Sequence, residues 1–423
     1  FHHRGYYTTD CWKKPASCWL FRRADDFYKN RIKEYGIKDP LDITQWPVLT
    51  RKELQENRYN MFSDGYMTIY YSQQLKRQSS SGSSGIPVNV YWNYNDWYSS
   101  NLPLWRKRLE WYGIRPSDRY VVFTLNAFDT KCYDSQIHFV NKPANILQAN
   151  ISLIHNDNDY AQLLDVIYRH DPVWLYIQPF ILDKLVRAYG IKHIPIPKSL
   201  KYIESIGEIL PPDIRARAKK LFGVPIANMY GSEEMNAIAY ECPYHHMHVI
   251  EENVYLEICN QSGTHTSGTG EAIVTSLCNR AMPLLRYNQG DQIILCQSSE
   301  PCLCGIKSLE IQLVKGRSMD SIHLKNGYEI NTYTLLEVIS EVNNKLNDVI
   351  VKYNYEYLRS KNLLVCYVQI EKKSKKWYSI VKSEIIAAFY RKISDNAVIQ
   401  FDVFQTEDDD IICGKQKIIS FKE

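Results

Sequence analysis

A chain of 423 residues, 45% hydrophobic and 23% charged, has material for a sizeable core and for two or three domains. Its formal net charge of +4 is mild for this length, and its basic clusters, Lys372-Lys373 with Lys375-Lys376 and Lys219-Lys220, are short solvated faces that do not make a nucleic-acid footprint. No apolar run approaches a membrane span, no signal-peptide pattern opens the chain at Phe1, and an odd count of eleven cysteines argues for a reducing, cytoplasmic setting over a disulfide framework.

Residues 1 to about 60 mix amphipathic helix signals with turns. The clearest is Trp46-Pro47-Val48-Leu49-Thr50-Arg51-Lys52-Glu53-Leu54, where Thr50 and Glu53 form a capping box that predicts a helix start. This part reads as packing and not as chemistry. Next comes Ser79-Ser80-Ser81-Gly82-Ser83-Ser84-Gly85-Ile86-Pro87, in which no residue from Ser79 to Gly85 is large enough to anchor a core. Such a run is either a flexible linker or a cradle of backbone amides and hydroxyls for an anion, here phosphate. Its flanks, Tyr66 to Tyr71 and Val88 to Trp92, read as strands and favour the cradle. It is not a Walker loop, because the Gly-Lys-Ser/Thr ending is missing.

Asp96 to Tyr112 reads as a helix, kinked or broken near Pro103. Strands are expected at Arg119–Leu125, Ile151–Ile154, Val173–Ile177 and Tyr202–Ile206, with helices at Tyr160–Arg169 and Pro179–Tyr189 between them. The alternation predicts an α/β sheet with parallel pairing. Gly207-Glu208 follows one of these strands, where ligands bind in open α/β sheets and where ordinary strand-ending turns also fall. Val224 to Glu234 predicts a strand running into a tight Tyr230-Gly231 turn and the adjacent carboxylates Glu233 and Glu234. Those carboxylates suit either a magnesium ion or the start of a helix. Asp291, after a Gly290 turn, can accept two hydroxyl hydrogen bonds as a ribose diol requires, or be a plain turn aspartate. Asn326-Gly327 predicts a hairpin, and the last hundred or so residues suffice for a small α+β domain.

Taken in order, the serine loop, Gly207-Glu208, Tyr230-Gly231 with Glu234, Arg286-Tyr287 with Gly290-Asp291, Gly316-Arg317 and Gly414-Lys415 resemble the core motifs of adenylate-forming enzymes. The Trp46 to Thr50 opening and Met282 to Tyr287 resemble the phenylacetate–CoA ligase and CapK-type capsule-biosynthesis branch more narrowly. The resemblance implies a large α/β domain of mixed sheets and helices over residues 1–313, which binds ATP and carboxylate. It also implies a small, mobile α+β domain over 314–423, pivoting near Gly316 to Asp320.

The implied reaction is attack of a small-molecule carboxylate on the α-phosphate of ATP. An acyl-adenylate and pyrophosphate result, and the acyl group passes to coenzyme A or to an amine. The alternative is a scaffold that keeps the fold and binds nucleotide without catalysis. By resemblance, Ser80, Ser81, Gly82, Ser83, Ser84 and Gly85 hold the β- and γ-phosphates. Glu234 binds magnesium, Asp291 the ribose hydroxyls, and Arg317 the nucleotide. Lys415 bridges carboxylate and α-phosphate. Gly207, Glu208, Asn228, Met229 and Tyr230 lie against the adenine and line the acyl pocket, and Gly231 and Ser232 also bind the nucleotide. Three departures stand out. Glu233 occupies the place of the family's threonine, which puts a second negative charge near the phosphates. Met319 follows Ser318 where an aspartate hinge is frequent. Residues 126–150 lack the glycine-rich pattern of the phenylacetate enzymes.

Cys242, His248, Cys302 and Cys304 carry thiols and an imidazole suited to a zinc site, with His245 and His246 as competing ligands. The Cys-x-Cys spacing is tighter than in a finger and also fits buried structural cysteines. A comparable set in some phenylacetate-ligase-like proteins implies zinc, held structurally by four protein ligands.

Overall fold

The computed structural model describes residues 26–80, 88–124, 138–141, 145–151, 154, 157–192, 194–298, 300–371, 375–393, 399–406 and 418–423. The chain forms two compact units, one of residues 1–106, 230–240 and 246–313, the other of 107–229, 241–245 and 314–423. Strands β1 (Lys76–Ser79) and β2 (Asn89–Trp92) make an antiparallel hairpin with Ser79 opposite Asn89. A large mixed sheet holds β3 (Tyr120–Thr124), β4 (His138–Asn141), β5 (Ile146–Asn150), β6 (Trp174–Ile177), β7 (Tyr202–Ile206) and β8 (Ile226–Ser232). It also holds β9 (Asn236–Glu241), β10 (Met247–Val249), β11 (Val254–Asn260), β12 (Gly263–His265), β13 (Gly268–Ser276), β14 (Tyr287–Gln297) and β15 (Leu309–Arg317). Two short strands, β16 (Ile322–His323) and β17 (Glu329–Ile330), form the hairpin expected at Asn326-Gly327.

In the second unit, β5, β3, β6, β7 and β8 lie side by side and parallel. Their short apolar runs suit strands covered on both faces. Val121, Phe123, Leu175, Ile177 and Ile203 pack against Leu163, Leu164, Ile181, Leu185 and Ile214 from the helices Asp157–His170, Pro179–Lys192 and Pro212–Phe222. Glu204, fully buried on β7, is held by a two-pronged contact from Arg108 at 2.8 and 2.5 Å. This fixes the strand that leads into Gly207. Further along, β18 (Ile350–Leu358), β19 (Leu363–Ile370), β20 (Gln400–Gln405) and β21 (Ile419–Lys422) form a separate four-stranded sheet in the order β20-β19-β18-β21. The helices Thr332–Leu346 and Lys375–Lys392 pack on it. Within this unit Arg217 joins Asp183, Asp213 and Asp348, and Ser340 donates to Asp213.

In the first unit, β11, β13 and β14 are antiparallel. The capping box forms as predicted: Thr50 accepts from the Glu53 N–H, the Glu53 carboxylate accepts from the Thr50 N–H, and the helix Arg51–Asn57 follows.

Five local expectations are corrected. Tyr66–Tyr71 is a helix and not a strand; it opens at Gly65, whose φ of +86° only glycine adopts readily. Tyr70 then packs on Phe62 and Tyr91 at ring distances of 5.2 and 5.0 Å, so tertiary contact overrides the β-propensity. The strand before the serine run is Lys76–Ser79. Ile151 and Ile154 are buried in the core beyond the end of β5, which lies one step upstream of the expected strand. The helix Tyr94–Tyr112 runs through Pro103 unbroken, with Asn236 and Asn253 binding Ser100 just before the proline. β8 continues through Tyr230-Gly231, and the turn falls on Glu233–Met235 and leads into β9, not into a helix.

The fifth correction concerns Gly290. It lies inside β14, not in a turn, at φ +76°. The pairing of β13 with β14 slips there, so that residues 289–291 face Ala272 alone. Such a bulge re-aims the side chains beside it.

Candidate active site

The first unit brings several expected residues together. Tyr230 donates its hydroxyl hydrogen to Asp291 Oδ2 at 2.8 Å. Tyr287 donates to Glu234 Oε1 at 3.3 Å, and the Glu234 side chain is only 6% exposed. The segment from Tyr230 through Gly231 and Ser232 to Glu234 is thus held against Tyr287–Asp291 at both ends. Arg51 Nη1 lies 3.6 Å from the same Glu234 oxygen, and Arg51 Nη2 donates to Ser80 Oγ at 2.7 Å. Ser80 pairs with Val88 in both directions, its N–H to the Val88 carbonyl and the Val88 N–H to its hydroxyl, each at 2.9 Å. Those bonds close the two ends of the serine run. Gln78 Nε2 donates to Glu233 Oε2 at 2.9 Å. Ser81, Gly82, Ser83, Ser84, Gly85 and Lys415 lie outside the described residues.

Arg286 has a different job. Its φ of +49° is rare for a side chain of this size, and its buried guanidinium grips Glu257 at 3.1 Å twice and the Trp46 carbonyl at 2.6 Å. Burial pushes the Glu257 carboxyl up and Arg286 opposes that. The Leu49 N–H donates to the Arg286 carbonyl and the Asn288 N–H to the Leu49 carbonyl, both at 2.9 Å. The Trp46 to Thr50 segment is therefore bound directly to the strand that carries Tyr287 and Asp291.

In the second unit, Gly207 at φ +77° ends β7, with Glu208 next to it. Met229 lies opposite Ile206 and Asn228 opposite Ser205, so these expected residues share one end of the parallel strands. The Asn228 N–H donates to Glu241 at 2.7 Å, and Arg215 and His245 bind the same carboxylate. Arg317 ends β15 ahead of the short turn Ser318–Asp320, which contains Met319. At Gly316, φ is +110° and an added Cβ would sit 2.8 Å from Thr332, so only glycine fits.

Cys242, His248, Cys302 and Cys304 place one ligand atom each within 4.8 Å of one another, which could hold a metal ion. His248 is fully buried, with Nε2 3.2 Å from Cys304 Sγ and Nδ1 3.2 Å from Ser308 Oγ. Gly305 closes a tight turn back to Cys302. His245 and His246 instead engage Glu241 and Glu310, outside the cluster.

The architecture can be set beside known proteins. No family model matches the chain. A 2-hydroxyisobutyryl-CoA ligase, solved in the postadenylation state with 2-HIB-AMP, overlays at a TM-score of 0.75 over 96% of this chain and 87% of that one, at 16% identity. The chain thus shares the fold of this ligase. The amide bond synthetase McbA of Marinactinospora thermotolerans overlays at a TM-score of 0.52 over 77% of this chain and 64% of that one, at 14% identity. In sequence, a phenylacetate-coenzyme A ligase of Thermus thermophilus is 23% identical over 345 residues, 78% of this chain and 74% of its own length. Among the described residues, no helix is long and apolar enough to cross a membrane.

Reading the sequence missed Arg51 and Gln78. The only signal was that Arg51 follows a helix cap directly, which pointed to packing.

Proposed function

We propose that this chain is an ATP-dependent, AMP-forming carboxylate ligase that makes an acyl-adenylate and transfers the acyl group to coenzyme A or an amine. The observation that carries the reading is the double tie of Tyr230 to Asp291 and Glu234 to Tyr287, on a fold shared with CoA ligases and an amide bond synthetase. In this reading Asp291 takes the ribose hydroxyls and Arg317 contacts the nucleotide. Glu234 takes magnesium, which neutralises phosphate charge when bound. Gly207, Glu208, Asn228, Met229 and Tyr230 line the adenine and acyl pockets, with Gly231 and Ser232 also binding the nucleotide. Ser80 to Gly85 hold the β- and γ-phosphates. Lys415 comes from a mobile domain beginning near residue 314 and bridges carboxylate and α-phosphate, where positioning and charge supply the catalysis. Cys242, His248, Cys302 and Cys304 hold a structural zinc, for which three thiols and an imidazole are a fitting donor set.

ATP–pyrophosphate exchange across aryl, fatty and amino acids tests the reading. Exchange with one class of acid supports it and names the carboxylate; coenzyme A and amines are then offered as acceptors. ATP binding without exchange for any acid favours the non-catalytic scaffold.

A further inference from the structure

Glu233 and Glu234 bring two carboxylates to the place where the proposed function puts a triphosphate, and an anion binds there only if cationic or neutral donors balance them. Arg51 and Gln78 flank the serine run on that side. Gln78 takes Glu233, and Arg51 spans Ser80 and Glu234.

We propose that Arg51 is a phosphate-binding residue of the nucleotide site, holding the β,γ-polyphosphate of a nucleoside triphosphate beside Ser80 and Glu234. The proposal rests on the adenylate-forming reading above.

Three observations carry it. The backbone that presents Arg51 is fixed on both sides, by the Thr50–Glu53 cap and by the Leu49 bonds to Arg286 and Asn288. Its side chain is only 21% exposed, although it stands at the first position of a helix where an arginine would normally extend into water. Its 3.6 Å separation from Glu234 is longer than a charge-assisted hydrogen bond, so this is a loose ion pair held by charge. A guanidinium fork matches phosphate oxygens two at a time, and an ammonium does not.

Calorimetry on the full chain with Mg-ATP and with AMP, no carboxylic acid present, tests this. Arg51→Gln is expected to weaken Mg-ATP binding at least tenfold, to leave AMP binding within about twofold, and to keep the thermal midpoint. Arg51→Lys, which keeps the charge without the fork, should fall between the two and serves if Arg51→Gln does not fold. Unchanged ATP affinity in Arg51→Gln overturns the proposal. So does equal loss of ATP and AMP, which marks Arg51 as only a structural partner of Glu234. Wild-type protein that binds neither nucleotide overturns the adenylate-forming reading itself.

Discussion

Tyr230 and Asp291 meet at 2.8 Å across two strands, one leading to Glu234 and the other rising from Tyr287. The phenol therefore orients the carboxylate proposed to take the ribose. Asp291→Ala is expected to weaken ATP binding more than tenfold, as loss of a charged acceptor costs about 1.5–3 kcal/mol. Tyr230→Phe, which removes only the orienting hydroxyl, should cost about 1 kcal/mol or less. Calorimetric titration with ATP measures both, and unaltered affinity in Asp291→Ala would rule out its ribose role.

Lys415→Ala is expected to lower adenylate formation by about a hundredfold or more while ATP still binds, because the loss falls on charge stabilisation in the transition state. Pyrophosphate exchange alongside ATP titration separates the two effects. An unchanged exchange rate would remove Lys415 from the mechanism.

Purified protein is expected to carry about one zinc ion, and a Cys302→Ser/Cys304→Ser double variant to lose it with a lower thermal midpoint. Elemental analysis with thermal unfolding reads both. A metal-free wild-type protein with full stability would refute the site.

Asp171 offers a test in acid. The hydroxyl and N–H of Ser199 donate to its carboxylate and hold it below the usual aspartate range, with Arg119 adding to the effect. A depressed folded value stabilises the protein above the unfolded value, about 3.9, and that stabilisation is lost as pH falls through the folded value. Ser199→Ala should therefore cost about 1 kcal/mol at pH 7, kept small by partial exposure, and progressively less as pH falls through the folded value. Denaturant unfolding across pH measures this; a deficit that grows in acid would contradict it.

Much of the fold could be read where local chemistry and tertiary context agree. The Thr50–Glu53 cap, the strand runs at Tyr120–Thr124 and Tyr202–Ile206, and the Asn326-Gly327 turn all form where their residues indicate. It failed where long-range contact decides. Lys76-Arg77-Gln78-Ser79 has no apolar residue to mark a strand, yet it pairs with Asn89–Trp92. Tyr66–Tyr71 looks like a strand and becomes a helix through its aromatic neighbours. At the site, ordered motifs pointed to Glu234 and Asp291, but nothing local joins Arg51 to a glutamate so far along the chain. The bulge at Gly290 was hidden too, since its glycine signals a turn and a bulge equally well.

The grip of Arg286 on the Trp46 carbonyl spans 240 residues. During synthesis at about 5–20 residues per second, the early segment waits roughly 10–50 s for its partner strand to emerge from the ribosome. Trp46 and Leu49, at 2% and 1% exposure in the finished protein, lack that partner strand for that time. Nascent chains stalled before Arg286 should accordingly hold chaperones that longer chains release.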